Sequence, residues 1–335
     1  MKTLNLLSAT AVAVALTTTT HANDRDRERT LLVAPSHLNG WVYYTDGAPE
    51  GAFSFAAGPV IAQLGAGSLV LGVSDTTQRS IFATSHYAGV RLDDLTALKY
   101  NIFRVTPATG AVAPVLQLEI DYDLTDETTT SQGLLVYDPG LNGTITSGVW
   151  ETWDAFAGKW YMTGTAIKAN LAAGQPFPLA TPGTLTEILA QFPNAGVRAT
   201  GNLSLKAGGA GGAVNAAVDA VVVGHDGGTT RWDFDPDTDR DTVPDVFDKY
   251  PNSDLRPKVD VGTGPTTVLN SVDDNGASIQ DLVNKYQTSA SSHKKYVKAI
   301  SGLAKDLQKS GTITKDQAKE MKEAAEASII PAPAG

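Results

Sequence analysis

Between residues 31 and 232 the chain is written almost entirely in short apolar or alternating runs bounded by glycine, threonine and proline, and this punctuation excludes any architecture built on long helices. Runs such as residues 40–44 (GWVYY), 67–73 (GSLVLGV), 115–122 (VLQLEIDY) and 133–137 (GLLVY) are β-branched or alternate in polarity. About a dozen strands of this kind predict a mainly β fold, an antiparallel β-sandwich or jelly roll. One helix is expected to interrupt it at residues 184–192, where Thr184 is a natural N-cap and Glu187 completes a capping box.

After residue 277 the period changes. Ile279, Leu282, Val283 and Tyr286 recur at helical spacing, as do Tyr296, Val297, Ile300, Leu303, Ala304 and Leu307. Gly311 should stop the second helix, and Thr314 with Gln317 should cap a third that carries Met321. The expected organisation is a signal peptide at 1–22, a charged linker at 23–30, the β domain at 31–232 and an aspartate-rich segment at 233–256. A polar linker at 257–277, a small α-helical module at 278–328 and a disordered tail at 329–335 follow.

The N-terminus has the layout of an export signal: Lys2, an apolar run over residues 4–16, then Thr20-His21-Ala22 before a charged stretch. A secreted location is therefore expected, extracellular, periplasmic or at the cell surface. No later stretch is apolar and long enough to span a bilayer, so no transmembrane segment is expected after signal removal. The sequence has no cysteine, which excludes disulfide scaffolds, cysteine metal clusters and thiol nucleophiles. A net charge of −10 argues against a nucleic-acid partner. That charge is concentrated: residues 233–254 hold eight acids against Arg240 and Lys249, a local balance of −6.

The concentrated acids carry the clearest chemistry. Asp237, Asp239, Asp241 and Asp248 stand at positions 1, 3, 5 and 12 of a loop, with the carbonyl of Val243 at position 7 and Asp245 at position 9. Ca²⁺ takes six to eight oxygens, and this spacing can wrap them around one ion. The run DTDRDTVPDVFDKYPNSD over residues 237–254 resembles a thrombospondin type 3 calcium-binding repeat in its bacterial, cysteine-free form. The resemblance implies calcium ligation by Asp237, Asp239, Asp241, Asp245 and Asp248. Thr242 departs from it, because the family usually places glycine there for the sharp turn.

Three weaker resemblances follow. Residues 149–160 (VWETWDAFAGKW) and 218–224 (VDAVVVG) are similar to segments of secreted bacterial jelly-roll domains of unassigned function, and residues 293–297 (HKKYV) onward are similar to a C-terminal helical hairpin of exported bacterial proteins. Glu119, Asp121 and Asp123 share one strand face and resemble the carboxylate strand of jelly-roll β-glucanases, with Asp123 one methylene short. An exposed polar face without a cleft is the simpler expectation for them. Of the five tryptophans, Trp153 and Trp160 are the candidates for an exposed sugar-stacking surface, the rest filling the core.

Together these features predict a secreted, noncatalytic, calcium-binding β-sandwich protein with a recognition or structural role. Its expected partner is an extracellular glycan or cell-surface protein, and the apolar stripes of the helical tail are expected to mediate protein association. The alternatives are a jelly-roll glycoside hydrolase acting on a β-glucan-type polysaccharide and a surface-layer or matrix component.

Overall fold

The structure, a computed structural model, describes residues 28–105, 112–127, 130–164, 176–209 and 212–330. The export signal expected at residues 1–22 lies outside the described residues. Two sheets form a β-sandwich of the jelly-roll type. The seven-stranded sheet contains β1 (Glu28–Val33), β15 (Gly228–Phe234), β14 (Val214–His225), β4 (Gly67–Val73) and β3 (Ala52–Ala57) in that order, with β6 (Leu95–Arg104) joining β14 to β9 (Trp150–Asp154). The eight-stranded sheet runs β11 (Gly183–Thr184), β10 (Lys159–Thr163), β8 (Leu134–Tyr137), β7 (Val115–Asp121), β13 (Leu203–Ala207), β5 (Ser80–Thr84) and β2 (Trp41–Tyr44), with β12 (Gly196–Val197) on β7. One pair departs from the expected antiparallel pattern: β1 lies parallel to β15, from Glu28 opposite Thr229 to Val33 opposite Phe234. Residues 28–30, expected in a charged linker, are therefore strand.

Alternation explains the core. Leu69, Leu71 and Val73 from β4 and Leu116, Leu118 and Ile120 from β7 point between the sheets and are buried. Trp41 of β2 stacks on Phe82 at 5.2 Å and meets Trp232 and Phe234 of the opposite sheet edge-on at 5.5 and 5.3 Å. Trp160 belongs to this core and not to any exposed platform: its side chain is fully buried and its Nε1 donates to Ala155 O at 2.8 Å. Trp153 is only 9% exposed and also packs in the core. Position 160 alternates with outward Tyr161, and the three-residue offset from Trp150 turns Trp153 inward. Trp160→Ala should cost about 3–5 kcal/mol. A chemical-denaturation midpoint that stays at the wild-type value would contradict this placement.

Helix α1 (Pro139–Asn142) follows β8, and helix α2 (Leu185–Gln191) has the expected capping box, Thr184 accepting from Glu187 N at 3.3 Å. At the C-terminal end stand α3 (Ile279–Ser289), α4 (His293–Lys309) and α5 (Lys315–Ala327). The stretch expected to be a free linker, residues 257–277, is instead a structured part of this unit. β16 (Lys258–Asp260) and β17 (Pro265–Leu269) form a hairpin, and Val259, Val261 and Val268 share one core with Val283, Tyr296, Ile300 and Met321. Tyr296 fixes the hairpin by donating to Val261 O at 2.8 Å. The apolar stripes expected to face a partner are thus spent inside the unit. Ile330, expected in a disordered tail, packs against the same core, and its carbonyl meets His293 at 2.9 Å.

Candidate functional site

The aspartate loop leaves β15 directly. Its alternating carboxylates turn back on themselves, so that Asp237, Asp239 and Asp241 each place an oxygen within 4.8 Å of the others. Backbone amides shape the loop: Thr242 N donates to Asp237 Oδ2 at 3.2 Å, Asp241 N to Asp239 Oδ1 at 3.2 Å and Val243 N to Asp241 Oδ1 at 2.7 Å. Asp245 is held differently, both its oxygens accepting from Thr238, at 2.8 and 2.6 Å. Asp248 is clasped by the C-terminal unit. A Cβ on Gly276, at φ +83°, would fall 1.7 Å from Asp248 Oδ1, so only glycine fits there. Lys249 N donates to Asn275 O at 2.9 Å, and Asp254 N to Asp281 Oδ1 at 3.0 Å. The loop therefore joins the sandwich to the helical unit.

The electrostatics ask for a cation. Asp237 Oδ1, Asp241 Oδ2 and Asp248 Oδ2 are buried with no hydrogen-bond donor. Burial, and then repulsion from Asp239, Asp248 and Asp237, pushes the Asp241 carboxyl up to about 6. Asp248 is raised for the same reasons, burial first. An all-oxygen, anionic donor set of this kind fits a hard divalent ion such as Ca²⁺. Thr242, standing where the repeat family has glycine, takes φ +82°. That conformation strains a β-branched residue by roughly 1–3 kcal/mol. Thr242→Gly should release it, offset in part by added freedom in the unfolded chain, and tighten calcium binding several-fold. Isothermal titration with Ca²⁺ measures this, and weaker binding by the glycine variant would refute it.

A second candidate site lies on the outer face of the eight-stranded sheet. Two cavities of about 580 and 370 Å³ share Gln117 and Leu134 as lining residues and form one groove across β7 and β8. Tyr44, Arg198 and Asn202 line one part and Tyr161 and Asp138 the other, and Asp46 and Lys206 meet between them. Glu119 pairs with Arg198 at 2.6 Å and Lys206 with Asp46 at 2.9 Å. Burial, then the charges of Glu119 and Asp46, raises the Tyr44 hydroxyl above its usual range.

The expectation of an exposed carboxylate face without a cleft is thus corrected, since Glu119 borders a groove. The three carboxylates nevertheless do not act as a set. Asp121 is buried and accepts from Gln132 Nε2 at 3.1 Å, while Asp123 caps a turn through Thr125 at 2.5 Å. Sequence reading missed Tyr44, Arg198 and Asn202. Only their neighbours on adjacent strands bring them to Glu119, and no local spacing marks them.

No protein-family model matches the chain, and no curated protein matches it. Among solved structures it is similar to the family 11 carbohydrate-binding module of the cellulosomal cellulase Lic26A-Cel5E of Clostridium thermocellum, at 12% identity over 56% of this chain and 88% of that one, with a TM-score of 0.33. A family 11 carbohydrate-binding module from Clostridium thermocellum in complex with a β-1,3-1,4-mixed-linked tetrasaccharide gives 11% identity, 55% and 87% coverage and a TM-score of 0.29. The enzymatically active domain of bacteriophage CBA120 tailspike protein 4 gives 11% identity, 57% coverage of this chain, only 20% of that chain, and a TM-score of 0.29. At these scores the assignment of a jelly-roll sandwich rests on the sheet order itself.

Proposed function

We propose that this chain is an exported, calcium-binding, noncatalytic recognition protein whose ligand is an extended polar molecule of the glycan class, bound in the groove of the eight-stranded sheet. The groove is the observation that carries the reading: a long concave floor lined by amides, paired charges and two tyrosines suits hydroxyl-rich, ring-bearing ligands. Export rests on the basic, apolar and small-residue order of residues 1–22. Calcium, in a site of the thrombospondin type 3 kind, rests on the orphaned oxygens of Asp237, Asp241 and Asp248, with Asp239, Asp245 and the Val243 carbonyl completing the expected set. The organisation proposed is a β-sandwich, an aspartate loop as junction, and a hairpin-plus-helices unit.

A glycan array run in calcium and in chelator tests the proposal. Binding that Tyr44→Ala and Tyr161→Ala abolish without a change in melting temperature supports it, and an empty array in both media removes it. The hydrolase reading keeps one observation in its favour, namely that Glu119 borders the groove. Release of reducing sugar from a β-glucan by the wild type, lost in Glu119→Gln, would replace recognition by catalysis.

A further inference from the structure

The end of β15 and the residue after it carry further carboxylates ahead of the aspartate loop. Asp233 and Asp235 alternate with the inward residues Trp232 and Phe234, so both side chains lie on the outer face of the seven-stranded sheet. Asp219 joins them from β14, its Oδ1 accepting from Phe234 N at 3.2 Å. It sits where β14 breaks register, next to Ala220 at φ +50°. Residues 58–67 close over the group. Leu64 N donates to Asp219 Oδ2 at 2.7 Å, and Ala66 N and Gly67 N donate to Asp235 Oδ1 at 2.6 and 2.9 Å. Gly65, at φ +52°, approaches so closely that a Cβ would lie 2.3 Å from Asp235 Oδ2.

Asp219, Asp233 and Asp235 are 0%, 8% and 0% exposed, and among the described residues no basic side chain forms an ion pair with any of them. Backbone amides occupy both oxygens of Asp219 and one of Asp235. That leaves Asp233 Oδ1 and Asp235 Oδ2 buried with no donor. Enclosed carboxylates that lack both a donor and a counter-charge are costly to keep ionised. The three do not bring one oxygen each within 4.8 Å of one another, so Asp219 contributes charge and the orphaned oxygens of Asp233 and Asp235 are the donors. This all-oxygen anionic pair matches a hard divalent cation better than zinc or copper, which favour nitrogen and sulfur.

We propose that Asp233 Oδ1 and Asp235 Oδ2, with the charge of Asp219 beside them, hold a second divalent cation of the calcium class beneath residues 58–67, separate from the ion of the aspartate loop. Residues 58–67, tied by their amides to Asp219 and Asp235, would cover this ion, and Asp235 stands two residues before Asp237. The inference does not depend on the reading of the loop, because each site has its own disabling variant.

Equilibrium dialysis of the full chain against radioactive Ca²⁺ counts the ions. Two per chain are expected for the wild type, one for Asp239→Asn/Asp241→Asn and one for Asp233→Asn/Asp235→Asn. Thermal melting supplies a readout that mere packing would not move: Asp233→Asn/Asp235→Asn should melt below wild type in calcium and above it in chelator, because the amides remove repulsion. Asp233→Asn alone spares the amides held by Asp235 and serves as the milder variant. Wild-type stoichiometry in both these variants, or an equal fall in melting temperature in both media, overturns the second site. A loop variant that keeps the wild-type count, while Asp233→Asn loses one ion, would instead remove the loop site alone.

Discussion

A peptide of residues 278–328 should be largely random coil in water, and extending it to residues 256–330 should restore a cooperative thermal transition. The three helices of the short peptide lose Val259, Val261 and Val268, each fully buried against them in the intact unit. At about 1.5–3 kcal/mol per buried side chain, this is at least as large as the ~3–5 kcal/mol that so small a core supplies. The short peptide also leaves Tyr296 without its acceptor on Val261 and Gln280 without Asp260 O, which it meets at 3.0 Å. Far-ultraviolet circular dichroism of the two peptides decides the matter, and equal helicity would show the hairpin to be dispensable.

The second large effect concerns acidity. In chelator the protein should be more stable near pH 5 than near pH 8, the reverse of ordinary acid denaturation. Burial, followed by the charge of Asp233, raises Asp219 to about 7, and burial raises Asp233 and Asp241 to about 6, against 3.8 for a free carboxyl. The folded chain therefore holds protons that the unfolded chain has already released. The stability this gives is fully present below about pH 3.8 and is lost as pH rises through 6 to 7. For Asp219 alone the effect is on the order of a few kcal/mol. Calcium, bound as proposed, should invert the trend, because protons and cation would compete for the same oxygens. Urea midpoints at pH 5 and 8, with and without calcium, should show opposite slopes. A chelated protein that gains stability toward pH 8 would contradict the placement of these groups.

The strands of the sandwich were legible in the sequence because alternation and turn residues are local signals, as in GSLVLGV of β4 and VLQLEID of β7. The aspartate loop was legible for the same reason, since its oxygens are close in sequence as well as in space. The hairpin was not. Its strands are only three and five residues long and stand among Gly262, Gly264 and polar residues, so the composition reads as linker until the helices supply the missing half of the core. Trp160 was misplaced because large aromatics suit a binding face and a core equally well. Strand partners alone decide between the two. The groove, built by Tyr44, Glu119 and Arg198 from separate parts of the chain, depends on long-range register that no local spacing records.

The parallel pairing of β1 with β15 also sets how the sandwich bears load. Tension applied at the start of β1 and through the aspartate loop at the end of β15 pulls the N-terminal end of one strand against the C-terminal end of its parallel neighbour. The ladder from Glu28–Thr229 to Val33–Phe234 is then loaded in shear, and its hydrogen bonds must fail together. In an antiparallel pair pulled from adjacent ends they would open one at a time. Stretched between its N-terminal strand and the C-terminal unit, this sandwich would resist as a clamp, with the aspartate loop in the line of force.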